Sequence, residues 1–271
     1  MTNNKKFLLT VCLLIGLYAL FIVGNKMYNK TDNIAPVITI TDEILTVSVK
    51  DKEKALLKGV SASDNEDGDL TSKIVIDSIS EFDEKNYRTV TYVVFDNNDQ
   101  MAKTTRRIKY SDYQAPVFDI KKPLVFYYIA NNSEFANFVT ANSSLDGNIS
   151  NRILVENDFY VEGKREVRYL VTDSCGVKST ITLKADELND IPSIEFHLKD
   201  YLIRVKKGTE IDPYSYIEHI EYMGMDLTSN IENISIQNNY DSTTPGMYEF
   251  IYRYTDNTGE FGITKLVVIV E

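Results

Sequence analysis

The sequence predicts an all-β protein: three tandem β-sandwich domains preceded by one N-terminal transmembrane helix. Three observations predict it. Beyond residue 31 a pattern of strands and turns recurs at a period of about 80 residues, and self-similarity of this kind marks a chain of like units. The late strand of each unit alternates apolar and polar side chains, which buries one face and wets the other. The composition, 18 Tyr and 12 Phe with no Trp in 271 residues, favours strands and polar loops over helical bundles.

The first element is the apolar run from Phe7 to Gly24, which carries no charge. As a helix it would extend about 27 Å, close to the hydrocarbon thickness of a bilayer. A signal peptide has a shorter apolar region of about 7–15 residues and ends in a small-residue cleavage site. No such site follows Phe21, and Val11 precedes Cys12 where a lipoprotein signal has a small residue. The expectation is therefore an uncleaved signal anchor. Residues 1–30 would form a short cytoplasmic tail and a membrane helix. Lys5 and Lys6 favour the inside, which places the protein in the cell membrane as a single-pass chain with its C-terminal ectodomain outside.

The repeats follow. Each opens with a proline and an alternating strand: "APVITI" from Ala35, "APVFDI" from Ala115 and "IPSIEF" from Ile191. Each has a middle turn followed by apolar residues: "DGDLTSKI" (67–74), "DGNISNRI" (146–153) and "GMDLTSNI" (224–231). Each ends in a strand, a tight turn and a closing strand. The late strands predict three buried sets, Val90, Tyr92 and Val94, then Val167, Tyr169 and Val171, then Phe250, Tyr252 and Tyr254. An aspartate stands four residues after the shared tyrosine (Asp96, Asp173, Asp256), where an Asx-type bond to backbone N–H groups would tie the turn. Gly176 and Gly259 supply a positive φ there, a conformation that Asp99 must adopt in the first repeat. Asn86 likewise stands where the other repeats have Gly163 and Gly246.

The alternating "Y-x-V-x-D" ending with its turn glycine, the "DGDLT" middle and the "APV" opening resemble the bacterial immunoglobulin-like repeats of exported Gram-positive surface proteins, a family that includes the repeats of a pesticidal crystal toxin. The resemblance covers all three units and is weakest in the second. It implies Ig-like domains at 31–113, 114–187 and 188–271, and a surface spacer or adhesion module without catalytic activity. The linkers "SDYQAP" and "ELNDIP" are short and end in proline, which predicts neighbours held end to end with little bending.

The loop "SASDNEDGDLTSKI" (61–74) is the most acidic of the middle turns, with Asp64, Glu66, Asp67 and Asp69. Calcium takes six to eight oxygens, and these four carboxylates with backbone carbonyls could supply them. The spacing is not that of an EF-hand, because the twelfth position from Asp64 is Val75 where that motif has glutamate. What recurs across the repeats is an apolar residue, a hydroxyl and an isoleucine: Leu70, Thr71 and Ile74; Ile149, Ser150 and Ile153; Leu227, Thr228 and Ile231. This favours a turn whose hydroxyl caps it and whose apolar pair docks in the core, with calcium as the other reading.

The remaining chemistry is sparse. All 40 acidic side chains lie beyond residue 30 and the net charge is -11, which repels nucleic acid. Arg106, Arg107 and Lys109 close a strand without interleaved aromatics, so no nucleic acid is expected as a partner. The cysteine nearest to His197 and His219, Cys175, belongs to another domain, and no nucleophile–base or zinc spacing appears. Cys12 and Cys175 are not expected to pair. No cofactor and no enzyme activity are predicted. The candidate binding surfaces are two tyrosine clusters, Tyr127 and Tyr128 in "FYYIANN", and Tyr214, Tyr216 and Tyr222 in "DPYSYIEHIEY". Exposed tyrosines anchor protein interfaces and stack on sugars. The expected function is a membrane-anchored spacer, adhesion or envelope-assembly module whose partner is a surface protein or a glycan. The alternatives are a glycan- or cell-wall-binding module and an accessory subunit of an envelope enzyme.

Overall fold

The computed structural model describes residues 3–28, 33–126, 132–161 and 164–271. The chain divides into two compact units, Met1–Ser111 and Asp112–Glu271.

The first unit begins with helix α1 (Asn3–Tyr28). Among the described residues no helix is long and apolar enough to cross a membrane. The expected signal anchor and the single-pass placement in the cell membrane are corrected accordingly.

Seven strands follow: β1 (Val37–Ile40), β2 (Ile44–Val47), β3 (Val60–Asp64), β4 (Gly68–Asp69), β5 (Val75–Ile79), β6 (Arg88–Phe95) and β7 (Met101–Tyr110). They form two sheets, β1-β3-β4 and β2-β7-β6-β5. β1 and β2 are one extended stretch interrupted at 41–43. The break lets the chain leave one sheet antiparallel to β3 and enter the other parallel to β7. Alternation sets the core. Val90, Tyr92 and Val94 of β6 are fully buried and pack with Val60 and Ala62 of the facing sheet and with Val47, Leu70, Ile74 and Ile108.

The second unit repeats this plan twice. The second repeat has β8 (Val117–Ile120), β9 (Val125–Phe126), a short α2 (Asn132–Phe135), β10 (Val139–Ser143), β11 (Gly147–Asn148), β12 (Leu154–Val161), β13 (Lys164–Thr172) and β14 (Lys178–Glu187). The third has β15 (Glu195–Leu198), β16 (Leu202–Val205), β17 (Ile217–Tyr222), β18 (Met225–Asp226), β19 (Ile234–Asn238), β20 (Gly246–Thr255) and β21 (Phe261–Val270). The sheet orders β11-β10-β8 with β12-β13-β14-β9, and β15-β17-β18 with β16-β21-β20-β19, match the first repeat strand for strand.

Within this unit the two repeats pack flank to face, not end to end as the proline linkers suggested. The cause lies in β21. Its closing "LVVIV" is apolar on both faces, whereas the outward positions of β14 are polar, and a two-sided apolar strand must be covered twice. Leu266, Val268 and Val270 point into the third repeat's own core, and Val267 with Leu202 joins the core of the second. Arg204 donates to the carbonyl of Phe118 at 2.7 Å, and the ammonium of Lys265, 1% exposed, reaches Asp186 of the second repeat.

Candidate functional site

The three repeats share two recurrent devices. The first is the central tyrosine. Its hydroxyl donates to a carbonyl in the short helical turn after the second strand: Tyr92 to Leu56 at 2.6 Å, Tyr169 to Phe135 at 3.1 Å and Tyr252 to Pro213 at 2.9 Å. The second is the turn aspartate. Asp96 Oδ1 accepts from the N–H groups of Asn98 and Gln100, Asp173 Oδ1 from Cys175 and Val177, and Asp256 Oδ1 from Thr258 and Glu260, all between 2.7 and 3.0 Å. Asp99, Gly176 and Gly259 take φ of 61, 77 and 92° there, as the sequence required. Asn86 takes 60°, but Gly246, which stands in its place in the third repeat, does not take a positive φ, and Gly163 lies outside the described residues. Cys175 is buried beside the Asp173 turn.

The acidic loop closes the same end of the first repeat. Asp64 Oδ1 accepts from the N–H groups of Glu66 and Asp67, and Asp69 Oδ1 from that of Thr71. Asp67 binds the backbone and side-chain amides of Asn97 at 2.6 and 2.5 Å, latching the β3–β4 hairpin to the β6–β7 turn. These three carboxylates are thus employed in turns, and among the described residues no group of three or more His, Cys, Asp or Glu is gathered as a metal site. The recurrent hydroxyl does not cap a helical turn. It accepts from the strand behind it: Thr71 from Ala62 N–H, Ser150 from Ala141 and Thr228 from Ile220. Asn148 and Asp226 repeat the role of Asp69, each accepting from the N–H two residues on. A search for acids passes over Asn148, because an amide replaces the carboxylate there.

The second repeat keeps the latch. Asp146 accepts from Ser174 N–H at 2.7 Å and from its hydroxyl, and pairs with Arg152 at 2.7 Å. Burial raises the Asp146 pKa, but these hydrogen bonds and the charge of Arg152 leave it below the usual carboxylate range.

The third repeat departs from the others here. Its hairpin joins Tyr222 to Met225 through Met223 and Gly224 alone, with φ of 50 and 82°. The latch aspartate has no counterpart. The segment between Leu227 and the next docked isoleucine is three residues longer, so Ile234, 7% exposed, fills the place of Ile74 and Ile153, while Ile231 is 57% exposed. The expectation that Ile231 docks in the core is corrected: strand pairing of Ile236 with Tyr252 fixes the register, and an insertion is invisible when only "LTSxI" is matched. Tyr254 also replaces Val94 and Val171, and its hydroxyl receives the side-chain amides of Asn230 and Asn233 at 3.4 and 3.1 Å. The result is a cleft of about 480 Å³ lined by Tyr222, Met225, Leu227, Asn230, Asn233, Tyr254, Asp256 and Asn257.

Of the tyrosines singled out from sequence, Tyr222 lines this cleft and also packs on the core. Tyr216 packs on the core and Tyr214 is 46% exposed, its N–H held by Asp212. Tyr127 and Tyr128 lie outside the described residues. His197 and His219 face each other across β15 and β17, each with a glutamate of its own strand, Glu195 at 3.2 Å and Glu221 at 3.0 Å. The hydrogen bond to Glu221, with Asp226 nearby, raises the His219 pKa.

The geometry defines a class, a tandem all-β scaffold with one divergent tip. No family model matches the chain. It is 28% identical over 216 residues to the pesticidal crystal protein Cry22Aa of Bacillus thuringiensis, a match covering 77% of this chain and 29% of that protein. The chain thus spans less than a third of that relative's length. Among solved structures it overlaps the M60 catalytic domain with CBM51-1 and CBM51-2 of Clostridium perfringens ZmpB (10% identity, TM-score 0.24, 87% of this chain and 30% of that one). It also overlaps Drosophila N-cadherin EC1-4 (12% identity, TM-score 0.23, 86% of this chain and 74% of that one). Superpositions this loose carry no functional argument.

Proposed function

We propose that the chain is a non-catalytic binding and spacing protein, with Ig-like domains at 31–113, 114–187 and 188–271 that hold differing tips on a constant frame, for adhesion to or assembly with a surface protein or glycan. One observation carries this reading. The recurrent devices, Tyr92, Tyr169 and Tyr252 with Asp96, Asp173 and Asp256, are alike in the three repeats, whereas the solvent side of the hairpin end differs in each. Binding residues sit on loops held by a rigid scaffold. The acidic loop is read as a structural turn with no bound cofactor, since its carboxylates serve backbone N–H groups and Asn97.

The test is affinity capture. The tagged full-length chain is mixed with an envelope extract of the producing cell, and retained protein and sugar are both identified. Stoichiometric retention of one macromolecule, without chemical change to it, is expected. Cleavage or modification of a retained component by the purified chain would overturn the reading. Joint purification with an active enzyme would favour the accessory-subunit alternative.

A further inference from the structure

The second repeat fills the space between its hairpin and its turn with part of its own linker. Tyr113 extends its hydroxyl to Asp173 Oδ2 at 2.6 Å, while Asp173 Oδ1 holds the turn. Neighbouring Gln114 exchanges hydrogen bonds with Ser144 of the hairpin, and Asp146 latches that hairpin to Ser174. The corresponding slot is therefore closed twice, by a phenol and by a latch.

In the third repeat both closures are gone. Asn189 stands three residues before Pro192, where Tyr113 stands three before Pro116. The hairpin has lost its aspartate, so Asn257, in the place of Ser174, has no latch partner of that kind. The inserted residues bring Asn230 and Asn233 to the wall, and Tyr254 places a hydroxyl between them. Asp256 still holds its turn through Oδ1 and still lines the space. Three independent changes on one frame, a shortened hairpin, an insertion and a valine replaced by tyrosine, converge on one cleft. Departures from an otherwise repeated plan concentrate at functional sites.

We propose that this cleft binds a neutral pyranose ring. The position of Asp256 matches the acceptor that takes a ring hydroxyl in the second repeat. A phenol offers one hydroxyl, yet the wall presents three primary amides, a carboxylate and a tyrosine hydroxyl, a set that suits a ring bearing several hydroxyls, each both donor and acceptor. Tyr222 and Met225 supply the apolar rim on which the C–H face of a sugar rests. The volume lies in the range of small-molecule sites. This inference deepens the non-catalytic reading and rests on it.

The experiment is a titration of the full-length chain with methyl glucoside, methyl galactoside and N-acetylglucosamine, followed by saturation-transfer NMR and calorimetry, with N-acetyltyrosinamide as the phenol arm. At least one sugar is expected to bind with a dissociation constant of about 1 mM, as suits a ligand of about a dozen heavy atoms. Asn257→Ala and Tyr222→Ala are each expected to weaken it at least tenfold. Asn257 lies in a surface turn, so its variant keeps the test valid if Tyr222→Ala fails to fold. The proposal is overturned if no sugar binds at 20-fold above that concentration (about 20 mM), if Asn257→Ala binds as the parent does, or if the tyrosine derivative binds more tightly than every sugar. Consumption of a bound glycoside in the same NMR samples would uphold the cleft and sink the non-catalytic reading. Capture of a protein partner with no sugar binding would uphold that reading and sink the cleft.

Discussion

Lys265 and Asp186 join the second and third repeats through a buried ion pair, Nζ to Oδ2 at 2.8 Å. Glu249 of the neighbouring strand supplies a second carboxylate at 3.0 Å and the carbonyl of Lys184 a third acceptor. The lysine side chain is 1% exposed, while Asp186 and Glu249 are 29% and 14% exposed. An ammonium so enclosed is tolerable only because all three of its protons are engaged.

Removing that cation leaves two partly buried carboxylates, Asp186 and Glu249, without their shared partner. Lys265→Met is expected to cost about 3 kcal/mol, the order found when one partner of a buried pair is deleted. Lys103→Met is the control, because Lys103 and Asp77 are 52% and 46% exposed and such pairs contribute about 0–1 kcal/mol. Urea unfolding followed by circular dichroism compares the two. Equal losses would show that the seam is hydrated and the pair dispensable.

The tyrosine anchors make a graded prediction. Tyr169 gives its hydroxyl to the Phe135 carbonyl, and Tyr169→Phe is expected to cost about 1 kcal/mol. The Tyr92 hydroxyl both donates to the Leu56 carbonyl and receives Arg106 Nη2 at 3.0 Å. Tyr92→Phe strands a donor as well as weakening an acceptor's bonding, and about 2 kcal/mol is expected. Thermal melts that rank the two variants in the opposite order would mean that Arg106, which also reaches the carbonyls of Leu56 and Lys58, satisfies the site alone.

Much of this frame is legible in the sequence. Strict alternation around Tyr92, Tyr169 and Tyr252 forces one face inward, and an aspartate opening a tight turn has few roles other than accepting its N–H groups. Three features are not legible there. The flank-to-face packing of the second and third repeats depends on the outward side of β21, and "LVVIV" reads equally well as a central strand of one sandwich. The divergent tip depends on register, which a three-residue insertion shifts without altering the local motif. The filled slot in the second repeat depends on a linker residue, Tyr113, whose partner Asp173 lies 60 positions away; no local pattern connects them.

The acidic loop yields a prediction about metal removal. Asp64, Asp67 and Asp69 each accept hydrogen bonds that a turn needs, so the first repeat is expected to hold without a cation. Melting with millimolar calcium and with chelator is expected to give midpoints within about 2 °C of each other, since a ligand well above its dissociation constant would stabilise by more than that corresponds to. A larger rise with calcium would assign these carboxylates as ligands. Asp67→Ala, by contrast, is expected to destabilise by about 1–2 kcal/mol with or without calcium, through loss of the Asn97 latch.

The Tyr113–Asp173 bond predicts a dependence on alkaline pH. Burial raises the Tyr113 pKa above the ordinary phenol value, and the hydrogen bond to Asp173 and that carboxylate's charge raise it further. The folded state therefore holds the phenolic proton more tightly than the unfolded state. Its contribution is fully present below pH about 10, the unfolded value, and is lost progressively as pH rises above it. Tyr113→Phe removes the titrating proton and the bond together. The variant is expected to melt lower than the parent at pH 8, with the gap narrowing between about pH 10 and pH 11.5 as the parent loses its advantage. A gap that stays constant across that range would show that Tyr113 acts by packing alone, and that its hydroxyl does not hold the linker against the turn.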